Sequence, residues 1–307
     1  MAKKHNYDID SDFDGFPVIT LGFSAFIIWC LNTFMRIEAW RVRRKLKGIS
    51  LHKLTSADGA QFKVWQIDPD NASDSAPALL YYHGGAFALT YGSPHLLFCQ
   101  RYANETGARV FFVDYRLMPR NPFPAGFDDC YATLTWVQAN SKTLGVNADK
   151  IAVGGDSAGG ALAAGVAQKH QDLGGQALCG QLLIYPVIDN SCSTESATVF
   201  TDTPLFNAIS NRAMWQAYLP SGEVPAYAAP ISYGSLTGQP AAYVETAEFD
   251  PLRDEGIAYA ERLAQDGVKV ELRKTLRTMH GYDTVTHNPI SQESMEKRIA
   301  FLRTVFA

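Results

Sequence analysis

The sequence predicts an α/β fold: a mainly parallel sheet covered by helices on both faces. Three observations carry the sheet. Apolar runs of strand length alternate with stretches of helical periodicity along most of the chain. Two of those runs end in glycine-rich bends, His83-Gly84-Gly85-Ala86-Phe87 and Gly154-Gly155-Asp156-Ser157-Ala158-Gly159-Gly160. With 307 residues, 47% hydrophobic and 19% charged, the chain can bury one large core, or a core with a small second unit.

The elements follow in order. Residues 1–14 are polar, with Asp8, Asp10, Asp12 and Asp14, and read as a frayed start. Gly15 to Met35 carries no charge and is long enough to raise the question of a membrane span. Pro17, Thr20, Gly22, Ser24, Asn32 and Thr33 interrupt it, so no stable span is expected. Phe23, Phe26, Ile27, Cys30, Leu31 and Phe34 recur at helical spacing, which favours a helix docked on the protein over a membrane anchor. Arg36, Arg41, Arg43, Arg44, Lys45 and Lys47 then read as a solvated basic face.

Strands begin near Leu51. A turn at Ser56-Ala57-Asp58-Gly59 precedes the run Phe62, Val64, Trp65, and further strands are expected at Ala78 to Tyr82 and Arg109 to Asp114. A proline loop, Arg116 to Pro124, leads to a helix over Asp128 to Ser141. Ile151 to Val153 is a strand, Ala161 to Ala167 a helix, and Leu178 to Ile188 a strand. Asn190 to Gly238 loses this rhythm apart from a helical run near Asn211 to Tyr218, and a long irregular insertion is usually functional. Ala241 to Phe249 and Val268 to Lys274 are strands around a helix ending at Gly267, and Ser291 to Phe306 is the closing helix.

Composition excludes several functions. A net charge of −4 gives no reason to expect nucleic acid. The five cysteines, Cys30, Cys99, Cys130, Cys179 and Cys192, form no C-x-x-C pair, which suggests neither zinc nor a disulfide framework and fits a reducing cytoplasm.

Gly155-Asp156-Ser157-Ala158-Gly159 fits G-x-S-x-G. A strand turning straight into a helix strains the serine backbone, holds its hydroxyl clear of the sheet and needs small neighbours. The Ala158 N–H, at a helix N-terminus, points at developing negative charge. The glycine spacing fits neither a phosphate loop nor a dinucleotide fingerprint, and Asp156 reads as a helix cap. In the other bend, adjacent glycines can turn backbone N–H groups into an open site, as an oxyanion hole requires. His83 braces that loop.

With these pieces in place, the chain resembles the hormone-sensitive-lipase-like branch of the α/β-hydrolase superfamily. HGGAF (83–87), DYRLMPRNPFPAGFDD (114–129), GGDSAGG (154–160), DPLRDEG (250–256) and HGY (280–282) carry the likeness, from about Tyr81 to Tyr282. The resemblance implies an esterase acting on small esters with short acyl chains. It also implies a helical cap made of residues 1–45 and 190–235 on a core made of 46–189 and 236–307, and it admits a homodimer. Four positions depart from the family pattern. Ala86 replaces a third glycine, and its backbone serves if φ is negative; Met118 and Arg120 replace Ala and Glu, and Tyr282 replaces Phe.

The expected nucleophile is Ser157, with Asp250 as acid and His280 as base, in the chain order of this fold. Asp189 and His287 are their rivals. Gly84, Gly85 and Ala158 are the expected oxyanion donors, and Phe87, Tyr91, Tyr185 and Phe206 are pocket walls or core. No metal or cofactor is called for. Gly15 to Met35 is expected as a helix over the mouth of the site, burying Phe23, Ile27, Leu31 and Phe34. A non-catalytic binding protein on the same fold, or a membrane-anchored lipase, would be the alternatives.

Overall fold

The computed structural model describes residues 6–307. Eight strands form one sheet in the order β1-β2-β4-β3-β5-β6-β7-β8. They are β1 (Ile49–Thr55), β2 (Gln61–Ile67), β3 (Ala76–Tyr82), β4 (Arg109–Asp114), β5 (Val146–Asp156), β6 (Gly180–Ile184), β7 (Ala242–Phe249) and β8 (Val270–Met279). β1 and β2 are antiparallel additions at one edge, and β4, β3, β5, β6, β7 and β8 run parallel.

The helices are α1 (Ala25–Arg43), α2 (Ser93–Thr106), α3 (Ala125–Ala139), α4 (Ser141–Leu144), α5 (Ala158–Asp172), α6 (Glu195–Val199), α7 (Ala208–Tyr218), α8 (Arg253–Gln265) and α9 (Pro289–Phe306). Because successive side chains of a strand point to opposite faces, the parallel strands feed two cores. Leu80, Tyr82, Val153, Leu183 and Val244 pack in the core that also takes side chains of α3, α5 and α8. Leu79, Tyr81, Ala152, Leu182 and Tyr243 face the other way, into the core shared with α2 and α9.

The register brings the two glycine motifs together. Tyr82, the last residue of β3, lies opposite Gly155 of β5, so both chains leave the sheet side by side. A Cβ on Gly159 would collide with the carbonyl oxygen of Tyr82, so glycine is required for this close approach. Phe249 and Met279 are likewise paired at the ends of β7 and β8, and the next residues are Asp250 and His280. Four chemically loaded segments therefore emerge along one edge of the sheet, the carboxyl ends of its parallel strands.

The amino-terminal readings need correction. Residues 1–5 of the expected frayed start and cap lie outside the described residues. From Ile9 onward the segment is docked: Ile9 and Phe13 are buried, Asp10 N–H donates to the Arg277 carbonyl, and Phe13 meets the Tyr282 ring edge-on. Two apolar anchors outweigh the surrounding aspartates.

Pro17 to Ser24 is irregular rather than helical. It is tied to the 205–210 segment by Leu205 N–H to the Pro17 carbonyl, Asn207 Nδ2 to the Ile19 carbonyl and Leu21 N–H to Ser210 Oγ. α1 docks through Ile28, Asn32 and Ala39, while Ile27, Leu31 and Phe34 are exposed, contrary to the expected burial; Phe23, just before the helix, is partly buried against the core. Asn32 decides the face. Its buried amide donates to the Ala88 carbonyl and accepts from Thr90 N–H, which pins α1 to the loop after β3. Among the described residues no helix is long and apolar enough to cross a membrane.

Candidate active site

Ser157 sits between β5 and α5 with φ 54° and ψ −118°, a conformation held only under constraint. The constraint is visible on both sides: Ser157 N–H donates to the Ile184 carbonyl, and Val187 N–H donates to the Ser157 carbonyl. Ser157 Oγ lies 2.9 Å from His280 Nε2, and His280 Nδ1 lies 2.8 Å from Asp250 Oδ2. Asp250 is fully buried, and its other oxygen accepts from Leu252 N–H. The rival groups are elsewhere. Asp189 accepts from Ser191 N–H and Oγ, and His287 is an exposed side chain beside Asp12.

The loop after β3 turns through Gly85, Ala86 and Phe87, at φ 118°, 53° and 57°. The condition set for Ala86, a negative φ, is thus not met. The turn is instead held in its strained form by Ala88 and Leu89 N–H groups on the Gly85 carbonyl and by Met118 N–H on the Phe87 carbonyl. Among the described residues, the N–H groups of Gly84, Gly85 and Ala158 donate to no protein acceptor. His83 supports the loop from below. Its Nδ1 meets the Gly84 carbonyl, its ring stacks on Tyr115 at 4.4 Å, and Tyr115 Oη donates to the His83 carbonyl. Burial pushes the His83 imidazole down to about 3, so it is neutral at ordinary pH.

Asp156 is more than a helix cap. Tyr81 Oη donates to its Oδ1, and His95 Nε2 lies 3.2 Å from its Oδ2. Burial opposes ionisation of Asp156, but the His95 charge and hydrogen bonds outweigh it and bring the carboxyl down to about 2. Burial likewise opposes charging of His95, and the Asp156 carboxylate overcomes it to raise the imidazole above its usual value. The carboxylate's contribution to stability is present above about pH 4 and lost as pH falls toward 2. The imidazole's contribution is complete below about pH 6.5 and lost as pH rises through the raised value. His95→Gln should therefore cost about 1–3 kcal/mol near pH 5.5 and distinctly less near pH 9. Paired thermal melts at the two pH values check this, and an equal loss at both would contradict it.

A cavity of about 220 Å³ opens over Ser157 and His280. Tyr185 and Phe206 line it, each ring centroid within 5 Å of that of the His280 ring. Phe87 and Tyr91 do not. Phe87 is turned away by its backbone and stacks on Tyr218 at 3.7 Å, while Tyr91 packs against Phe112 and accepts from Arg43. The walls that sequence reasoning missed are Ile19, Leu21, Leu89, Phe98 and Leu205. None lies in a motif; each reaches the cavity only through tertiary packing.

A buried ionic cluster supports the loop that carries His280. Arg298 of α9 pairs with Glu245, and its Nη1 lies 2.7 Å from Asp283 Oδ2. Tyr185 Oη donates to Asp283, and Tyr282 Oη donates to Glu245. This gives the Tyr282 departure a physical reason, because a phenylalanine would leave the buried Glu245 short of a donor.

Comparison with known proteins agrees with the fold. A family model described as the alpha/beta hydrolase fold matches residues 79–284. Carboxylesterase NlhH of Mycobacterium tuberculosis is 40% identical over 220 residues, covering 70% of this chain and 69% of the relative. Esterase LipI of the same species is 38% identical over 245 residues, covering 77% and 75%. Among solved structures, esterase LipW from Mycobacterium marinum superposes with a TM-score of 0.90 at 31% identity, covering 97% and 96% of the two chains. A bacterial heroin esterase superposes with a TM-score of 0.86 at 36% identity, covering 94% and 95%.

Proposed function

The chain belongs to the hormone-sensitive-lipase-like family of α/β-hydrolases, and from that premise we propose that it hydrolyses carboxylic esters through an acyl-enzyme on Ser157. The observation that carries the reading is the unbroken line of hydrogen bonds from Ser157 Oγ through His280 to Asp250 at the floor of the cavity.

In the proposed reaction His280 Nε2 takes the Ser157 proton as Oγ bonds to the ester carbonyl carbon. The oxygen that becomes negative is met by the N–H groups of Gly84, Gly85 and Ala158, preorganised by the His83–Tyr115 brace and by the start of α5. The tetrahedral adduct collapses, the carbon–oxygen bond to the alcohol breaks, and His280 returns the proton to the departing alcohol. Water then repeats the steps, releasing the acid and restoring Ser157. Asp250 holds Nδ1 protonated throughout, so that Nε2 begins as the acceptor. Residues 1–45 and 190–235 serve as the cap in this reading, with 17–24 the part of the first segment that reaches the cavity. Ile19, Leu21, Leu205 and Phe206 close the cavity from those two segments and keep water from the reacting carbonyl.

The cavity also bears on substrate size. At about 220 Å³ it falls below the range of roughly 300–1,000 Å³ that accommodates larger ligands, which suits an acyl group of a few carbons. A series of p-nitrophenyl esters should give kcat/KM highest for the two- to four-carbon acyl groups, falling on the order of tenfold or more by eight carbons. A profile that rises toward long chains would overturn the short-chain reading, and no turnover of any member would overturn ester hydrolysis.

A further inference from the structure

Helix α1 carries its polarity reversed. On an ordinary surface helix the apolar stripe faces the protein and the polar side faces water. Here the docked stripe centres on Ile28, Asn32 and Ala39, with an asparagine at its middle. About half a turn away, Phe26, Ile27, Trp29, Phe34, Ile37 and Trp40 are exposed, Phe26 at 71%, Trp29 at 62% and Phe34 at 73%. Phe26, Trp29, Ile37 and Trp40 also form one wall of an open groove against Arg116 to Asn121. A contiguous exposed aromatic face of this kind marks an interaction surface.

The charge beside it identifies the partner. From Arg36 to Lys47 the chain holds six cations and one carboxylate, although its net charge is −4. Arg43 is used internally, donating to Tyr91 and lying over Trp65. Arg41, Arg44, Lys45 and Lys47 are exposed, and among the described residues no carboxylate pairs with them. A second copy packed on this face would not neutralise that end. Parallel helices would set like charges together, and antiparallel helices would set the basic end against residues 15–35, which contain no carboxylate. An anionic bilayer surface satisfies both features: aromatic side chains seat at the headgroup boundary while the cations meet the lipid charge.

We propose that the outward face of α1 docks the protein in the interface of an anionic phospholipid membrane, lying on it rather than crossing it. The test is sedimentation of the full chain with vesicles of phosphatidylglycerol and phosphatidylcholine in equal parts, against vesicles of phosphatidylcholine alone. Binding is expected on the anionic vesicles, weakened by salt, with a blue shift of tryptophan emission from Trp29 and Trp40. Phe26→Glu with Phe34→Glu should weaken it about tenfold or more. Arg41→Glu, Arg44→Glu and Lys45→Glu together should weaken it on the order of a hundredfold. Circular dichroism melts establish that both variants fold. Absence of vesicle binding by the full chain, or unchanged binding in both folded variants, would overturn the proposal. So would a dimer in sedimentation velocity that the phenylalanine variant dissolves without vesicle binding, since that outcome assigns the face to a second copy.

Discussion

Ser157→Ala is expected to remove ester turnover by a factor on the order of 10⁶ in kcat while leaving the fold intact. Both halves follow from the geometry. The hydroxyl is the group that would attack, and it is the hydrogen-bond partner of His280 Nε2. The backbone at this position is held by its own N–H and carbonyl bonds to Ile184 and Val187, which alanine keeps. Substrate should still bind, because the walls of the cavity and the oxyanion donors are untouched. Titration of the variant with a non-hydrolysed ester and a thermal melt measure the two halves separately. Turnover near that of the parent in a normally folded variant would remove Ser157 from the mechanism.

Asp250→Asn is expected to lower kcat on the order of 10⁴-fold with a much smaller change in KM. The carboxylate is fully buried and accepts both His280 Nδ1 and Leu252 N–H, so an amide fits the space. The amide can, however, donate to Nδ1, which leaves the proton on Nε2, and that tautomer cannot accept the serine proton. Asp189→Asn serves as the control. Its carboxylate faces Ser191, and its loss should leave turnover within a few-fold of the parent. A crippled Asp189→Asn beside an active Asp250→Asn would reverse the assignment of the acid.

The sequence made the proposed reacting groups legible because each is tied to a local backbone signal. Ser157 and Gly84 follow apolar strands and sit among glycines that close packing requires; Asp250 and His280 directly follow β7 and β8. The walls of the cavity had no such signal. Ile19 and Leu205 are ordinary apolar residues, brought together only when Leu205 N–H meets the Pro17 carbonyl. For Phe87 and Tyr91 the sequence left wall and core open, and both are core, Phe87 following the positive-φ turn at Ala86. For α1 the periodicity marked a helix but not its docked side. With apolar residues nearly all round, the choice fell to Asn32, whose hydrogen bonds span more than fifty residues of sequence. α2 gave no reading at all, because its apolar residues are interrupted by polar ones and its N-cap is a glycine, capped by the His95 ring rather than by a side chain of its own.

The central claim is a covalent acyl intermediate on Ser157. It is tested most directly by mixing the protein with a short-chain p-nitrophenyl ester, quenching in acid within the first turnovers and weighing the intact chain. The account predicts one added acyl mass on the parent, located by digestion on the peptide containing Ser157, and none on Ser157→Ala. Hydrolysis with no adduct at any quench time even when a slowly deacylating ester is used, or an adduct on another residue, would contradict it.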